Sequence, residues 1–182
     1  MRTLIFNGSP RVRGDTAFLL SLLKEQLKGE IRTVDAYRCG IAPCIDCRYC
    51  MKNDGCSIKD GMQEIYGYIR DCDGIVIASP VYFSELTGKL LDVGSRLQSF
   101  YCARTFRNIE PVQKSKKGAV ILTGGGDGSP DKAFSTARIL LGQMGCRDIH
   151  PLVKSCRTNE RPASKDEEAK AGIMSIARFL SE

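Results

Sequence analysis

Between positions 44 and 56 the chain reads CIDCRYCMKNDGC, with cysteines at Cys44, Cys47, Cys50 and Cys56. The spacing C-x2-C-x2-C-x5-C collects four thiols in one short segment. Thiolates ligate soft metals and take part in thiol–disulfide chemistry. Zinc held by four thiolates generally uses two separated C-x2-C pairs. Three cysteines at consecutive three-residue steps suit three corners of an iron-sulfur cubane, with the fourth ligand further along. The run is close to the bacterial ferredoxin pattern C-x2-C-x2-C-x3-C. On the residues alone three other outcomes stay open: thiols with no metal, a dithiol that oxidises to a disulfide, and zinc. The single histidine, His150, leaves little room for a mixed Cys/His zinc site and reads as an ordinary structural residue.

Three more stretches carry groups that suit a ligand. In NGSPRVRGDT (Asn7 to Thr16) a glycine-containing turn leads into a helix. Backbone N–H groups and the helix dipole there favour an anion. Ser9 and Thr16 offer hydroxyls, and Arg11 offers charge-assisted hydrogen bonds. The stretch is neither a Walker A loop nor G-x-G-x-x-G, so a single terminal phosphate is the natural guest. In SPVYFSE (Ser79 to Glu85) Pro80 stiffens the turn, and Val81, Tyr82 and Phe83 form an apolar wall suited to a flat ring. In TGGGDGSP (Thr123 to Pro130) Gly124, Gly125 and Gly126 let backbone approach a planar ligand closely. Together the three stretches describe a site for a ring with a phosphorylated tail.

The elements that must position these loops follow from periodicity. Thr3–Phe6, Ile31–Asp35, Gly74–Ser79, Gly118–Thr123 and the stretch IHPLV read as strands, the middle two as continuous apolar runs buried on both faces. Helices are expected over Thr16–Lys28 with Asp15 as N-cap, and from Asp60, with Asp60 capping and Gln63 reaching back. Further helices are expected over Thr87–Phe100, after Ser129 as N-cap, and near the C-terminus with a Ser164/Glu167 capping box. Five β-α units imply parallel pairing with right-handed crossovers. The expectation is a flavodoxin-like three-layer α/β/α sandwich with a five-stranded parallel sheet in the order 2-1-3-4-5. Ligands bind beyond the carboxyl ends of such strands, where all three loops lie.

The gross numbers agree. The 182 residues fit one domain, 1–182, with a cysteine-rich insertion at about 39–59. Apolar content of 42% and charged content of 26% are ordinary for a soluble globular protein. No apolar run approaches the roughly 18 residues of a membrane span, and the N-terminus lacks the apolar region of a signal peptide. The reading is a cytoplasmic protein with reduced thiols, in which Cys39, Cys72, Cys102, Cys146 and Cys156 serve as small buried hydrophobes. The net charge of +6 is spread over clusters at Arg11/Arg13, Arg104/Arg107 and Lys114/Lys116/Lys117. With no nucleic-acid motif and no basic tail, nucleic acid is not expected as a partner, and the clusters read as solvated surface or as a site for phosphorylated small molecules.

On NGSPRVRGDT, ASPVYF and TGGG the sequence resembles the NADPH-dependent FMN reductase family of flavodoxin-like proteins. With CIDCRYCMKNDGC followed by IKDGMQEIY, it resembles the iron-sulfur flavoprotein group most closely. The resemblance implies that Ser9, Arg11 and Thr16 hold the FMN phosphate and that Arg13 and Asp15 line that loop. It also implies that Pro80, Val81, Tyr82 and Phe83 contact the flavin, with Thr123, Gly124, Gly125 and Gly126 on its other side. Cys44, Cys47, Cys50 and Cys56 would be the ligands of a [4Fe-4S] cluster. Homodimers or homotetramers are typical of the family. Ser84 stands where the family often has glycine, and LLDVGSRL replaces the common pattern with an Asp-Arg pair while keeping Arg96. Two functions follow. One passes electrons from NADPH or NADH through FMN to a small acceptor such as flavin or quinone. The other takes electrons from a ferredoxin-like partner by way of the cluster. No acid–base constellation accompanies either.

Overall fold

The computed structural model describes residues 1–126 and 128–182. Strands β1 (Arg2–Asn7), β2 (Glu30–Asp35), β3 (Gly74–Pro80), β4 (Lys116–Thr123), β5 (Cys146–Ile149) and β6 (Val153–Ser155) form one sheet, ordered β2-β1-β3-β4-β5, with β6 also on β4. Every pairing is parallel. Helices α1 (Asp15–Gln26), α2 (Tyr49–Lys52), α3 (Met62–Asp71), α4 (Gly88–Ser95), α5 (Gln98–Arg107), α6 (Asp131–Gln143) and α7 (Glu167–Ser181) complete the chain, with a 3-10 turn at Ala163–Lys165. This is the flavodoxin-like α/β fold expected from the strand and helix alternation.

Side chains alternate across each strand. Leu4, Phe6, Ile75, Ile77, Val120 and Leu122 pack with Met62, Ile65, Leu90 and Leu141 of α3, α4 and α6 on one face. Ile5, Val76, Ala78, Ala119 and Ile121 pack with Leu19 and Leu23 of α1 and Ile173 and Ile176 of α7 on the other. Each fully buried Leu or Ile contributes about 1.5–3 kcal/mol, so two apolar layers hold the central strands rigid from both sides. No helix among the described residues is long and apolar enough to cross a membrane.

The sequence expectations fail where tertiary partners decide. Asp15 does not cap α1: Gly14 precedes the helix, no side chain caps it, and Asp15 Oδ1 accepts instead from the Ala163 N–H at 2.8 Å. The last helix is capped by Asp166, which accepts from Ala169 N–H at 3.1 Å, and not by the Ser164/Glu167 box. Asp60 does accept from the Met62 N–H at 3.0 Å, while the Gln63 amide donates to the carbonyls of Ile58 and Cys56. The expected strand IHPLV is two strands flanking Pro151, which has no N–H for a ladder. The expected Thr87–Phe100 helix breaks into α4 and α5 around Arg96 and Leu97, where i→i+3 bonds tighten the turn after Gly94–Ser95.

The basic clusters are also more engaged than expected. Arg104 pairs with Glu110, Arg107 with Asp54 and Lys114 with Asp73. Lys116 is buried and donates to the carbonyls of Arg70 and Lys114. Of the scattered cysteines, Cys72, Cys102 and Cys146 are buried, while Cys39 and Cys156 are partly exposed.

Candidate functional site

Because β1 lies between β2 and β3, the chain leaves β1 toward one edge and returns to the other side of it. The carboxyl ends of β1 and β3 are therefore the switch point where a cleft opens. The loops after β1, β3 and β4 border a cleft of about 230 Å³ there, open to solvent on one side. The structure brings Ser9, Arg11, Asp15, Thr16, Pro80, Val81, Tyr82, Thr123, Gly124 and Gly125 to its walls. Arg13, Phe83 and Gly126 are not among the residues that line it.

The β1–α1 side of the cleft is built by local geometry. Gly8 N–H bonds to the Ala78 carbonyl at 2.7 Å and holds the turn against β3. Ser9 Oγ accepts from the Arg11 N–H at 3.2 Å, curling the loop so that α1 begins at the cleft. With no side chain capping α1, its orphan first-turn N–H groups are donors for an anion. Thr16 Oγ1 lies 2.7 Å from Thr123 Oγ1, tying the start of α1 to the end of β4.

The glycine side differs from expectation. Gly124 N–H is taken by the Ser155 carbonyl, and the segment after β6 returns bonds to the loop, Thr158 N–H to Gly124 O and Asn159 N–H to Gly125 O. A Cβ on Gly125 would lie 2.7 Å from the Asn159 amide nitrogen. That glycine therefore admits the close approach of Asn159, and it lines the cleft as well. Thr158 and Asn159 also line the cleft. Sequence reasoning missed both, because nothing local marks a loop after a three-residue strand.

The aromatic wall is a tight hairpin. Tyr82 and Glu85 exchange backbone hydrogen bonds, and the two residues between them, Phe83 and Ser84, have φ of 52° and 62°. Turns of this kind favour glycine or asparagine. Phe83 is fully exposed at 102%, whereas Tyr82 stands at the cleft. Ser84→Gly is expected to stabilise the chain by about 1 kcal/mol by relieving left-handed backbone strain. A higher urea midpoint at unchanged slope checks this.

A second cavity lies under the cysteine segment. Cys44, Cys47, Cys50 and Cys56 all line it, joined by Arg96, Ser99 and Cys102 from the α4–α5 region. Its backbone turns at Asp46 and Arg48 with φ of 48° and 60°. Cys44 N–H donates to Ser95 Oγ at 2.9 Å, and Cys47 Sγ lies 3.1 Å from Ser57 Oγ. The Ser57 hydroxyl, then the Tyr49 backbone, lowers the Cys47 pKa. Burial, then the neighbouring Cys102 thiol, pushes Cys50 up to about 12. Cys102 is a fifth thiol that sequence spacing could not place here.

Among the described residues no three His, Cys, Asp or Glu side chains converge as a single metal ion requires. Four thiols around one shared cavity instead suit a polynuclear group, whose ligands bind separate irons. The donor set therefore fits a cluster in chemistry.

Asp60 anchors this cavity. Its Oδ2 accepts from Arg96 Nη1 at 2.7 Å and from the Ala42 N–H at 3.1 Å. Burial works to raise its pKa, but the Arg96, Ala42 and Met62 hydrogen bonds outweigh it and hold the carboxyl below its ordinary value. Asp166 is lowered likewise, burial again opposing, by Ser155, Ala169 and Arg161. A depressed folded pKa gives stability that is complete above about pH 4 and lost as pH falls through the folded value. Urea midpoints are expected to drop below about pH 4, and Asp60→Asn should flatten that slope.

A parallel sheet in this order, with its cleft at the β1–β3 switch point, defines a flavodoxin-like α/β protein. The chain belongs to the NADPH-dependent FMN reductase family, which its residues 1–155 match. It is 33% identical over 129 residues to an iron-sulfur flavoprotein of Methanocaldococcus jannaschii, covering 69% of this chain and 62% of that one. It is 30% identical over 140 residues to an iron-sulfur flavoprotein of Methanosarcina thermophila, covering 75% and 70%. The chain spans about half the length of two Archaeoglobus fulgidus relatives, 51% and 44%. Its fold is similar to that of an FMN-dependent NADH-azoreductase from Bacillus anthracis in complex with FMN. There the TM-score is 0.66 and the identity 14%, with both chains fully covered. It is also similar to the fold of an NAD(P)H:quinone oxidoreductase from Methanothermobacter marburgensis. That match has a TM-score of 0.68 at 15% identity, covering 100% of this chain and 96% of that one.

Proposed function

We propose that this chain is an FMN-dependent oxidoreductase that takes electrons from NADPH or NADH and delivers them to a small acceptor such as a flavin or quinone. The observation that carries the reading is the cleft itself. An uncapped helix start, two hydroxyls and an arginine stand at one end, and a stiff apolar wall stands along it. When bound there, FMN supplies the hydride and electron chemistry. The chain's own residues bind and orient it. The first-turn N–H groups of α1 with Ser9, Arg11 and Thr16 grip the phosphate, and Pro80, Val81 and Tyr82 flank the ring. The Asp15 carboxylate is occupied by Ala163, so no general acid or base is assigned.

A second reading is favoured by the thiol cavity. Cys44, Cys47, Cys50 and Cys56 hold a [4Fe-4S] cluster, whose one-electron chemistry suits a ferredoxin-like donor. In either reading the protein works in a reducing compartment such as the cytoplasm, as a homodimer or homotetramer.

Anaerobic titration of the FMN-loaded chain with NADPH and NADH tests the first reading. Bleaching of the flavin absorbance by one of them at catalytic rates supports it, and no bleaching by either defeats it. Iron and acid-labile sulfide assays on anaerobically purified protein test the second. About four irons per chain, lost in Cys50→Ser but kept in Cys102→Ser, support the cluster. A chain without iron after reconstitution removes it.

A further inference from the structure

Arg96 is a charged side chain with no exposure at all, placed at the break between α4 and α5. Burying a guanidinium is costly unless its donors are satisfied. Two of its three nitrogens are satisfied, and the partners bracket the cysteine segment. Nη1 donates to the Ala42 carbonyl at 2.8 Å and to Asp60 Oδ2 at 2.7 Å, and Nη2 donates to the Ile58 carbonyl at 3.2 Å. Ala42 precedes the first of the four cysteines and Ile58 follows the last. The rigid fork therefore clamps both flanks of the loop to one point, a geometry that a lysine ammonium cannot reproduce.

The third nitrogen is the unexplained one. Arg96 Nε is buried and has no hydrogen-bond partner among the described residues. Arg96 lines the thiol cavity, and its charge interacts with Cys56. A buried donor left unpaired is costly, so an orphan N–H on a residue that lines the thiol cavity points to an acceptor that arrives with the cavity's guest.

We infer that Arg96 is the positioning residue of the thiol cavity, holding both flanks of the cysteine segment and donating its Nε–H to a sulfur of the cluster or of its thiolate ligands. This rests on the iron-sulfur reading above. An N–H donated to sulfur stabilises the more negative, reduced state, so it raises the cluster's potential. Groups that hydrogen-bond metal ligands from behind commonly govern metal retention by tenfold or more.

The test compares anaerobically reconstituted wild type with Arg96→Lys, which keeps a cation for Asp60 but removes the fork and the Nε–H. Iron and sulfide content, iron loss to a chelator, and the midpoint potentials of cluster and flavin are measured, with FMN content and thermal unfolding as checks on folding. The expected result is retained FMN, iron loss about tenfold faster, and a cluster potential shifted negative while the flavin potential stays put. Wild-type iron retention and an unshifted cluster potential in Arg96→Lys would make Arg96 a packing residue and overturn the inference, leaving the cluster reading intact. Wild type that takes up no iron overturns both. If Arg96→Lys does not fold, Asp60→Ala decides. It removes the carboxylate that holds Arg96 Nη1, so faster iron loss supports the inference and unchanged retention overturns it.

Discussion

Thr16→Val binds FMN about ten- to hundredfold more weakly than the wild type while binding riboflavin equally well. The reasoning starts from placement. Thr16 is buried in the first turn of α1, at the end of the cleft where the proposed phosphate grip lies, and its hydroxyl shares a 2.7 Å hydrogen bond with Thr123. A hydroxyl that donates to a phosphate makes a charge-assisted bond worth about 1.5–3 kcal/mol. Valine has the same shape, so packing against the neighbouring loop is retained, but it donates nothing and leaves Thr123 without its partner. Riboflavin has the ring without the phosphate and should not register the change. Fluorescence titration of both ligands with both proteins checks this, and an equal loss for the two ligands would place Thr16 at the ring instead.

The second large effect is on stability. Gly8→Val is expected to destabilise the chain by about 2–3 kcal/mol and to lower the melting temperature by about 5–10 °C. A Cβ at Gly8 would sit 2.8 Å from Leu90 Cδ2, 2.9 Å from Ser79 Oγ and 3.0 Å from Thr87 Oγ1. None of these can retreat freely. Leu90 is a core residue of α4, and Thr87 Oγ1 donates to the Gly8 carbonyl at 2.7 Å while its N–H reaches Ser79 Oγ. The clash therefore pushes the phosphate loop off the β3–α4 junction, and FMN affinity should fall with stability. Gly126→Ala is the control: a Cβ there meets nothing within 4 Å, and its cost should stay within about 0.5 kcal/mol. Thermal and urea unfolding of the three proteins distinguish a specific clash from a general intolerance of glycine replacement.

The strands were legible because they are short apolar runs between turn residues, and the alternation with helices left one economical topology. The three cleft loops were legible for the same reason, since each follows directly from a strand end. What escaped was set by partners distant in sequence. Asp15 is a plausible cap by type, but the Ala163 N–H lies 148 positions away and claims it. The α4–α5 break is weak in pattern, since one apolar stripe runs through it. Only Asp60, on the far side of the cysteine segment, shows why Arg96 must turn inward. Cys102 read as a small hydrophobe and is buried like one, yet it lines one cavity with four other thiols. Ser84 was visible as a departure from the family's glycine, and its φ of 62° supplies the physical reason for that glycine.

The central claim is that the β1–α1 loop grips a flavin by its phosphate. The direct measurement is a binding titration of the chain, stripped of flavin, with FMN and with riboflavin under the same conditions. Two or more charge-assisted bonds to the phosphate predict FMN binding at least about a hundredfold tighter than riboflavin. Equal affinities, or no binding of either, would contradict the account.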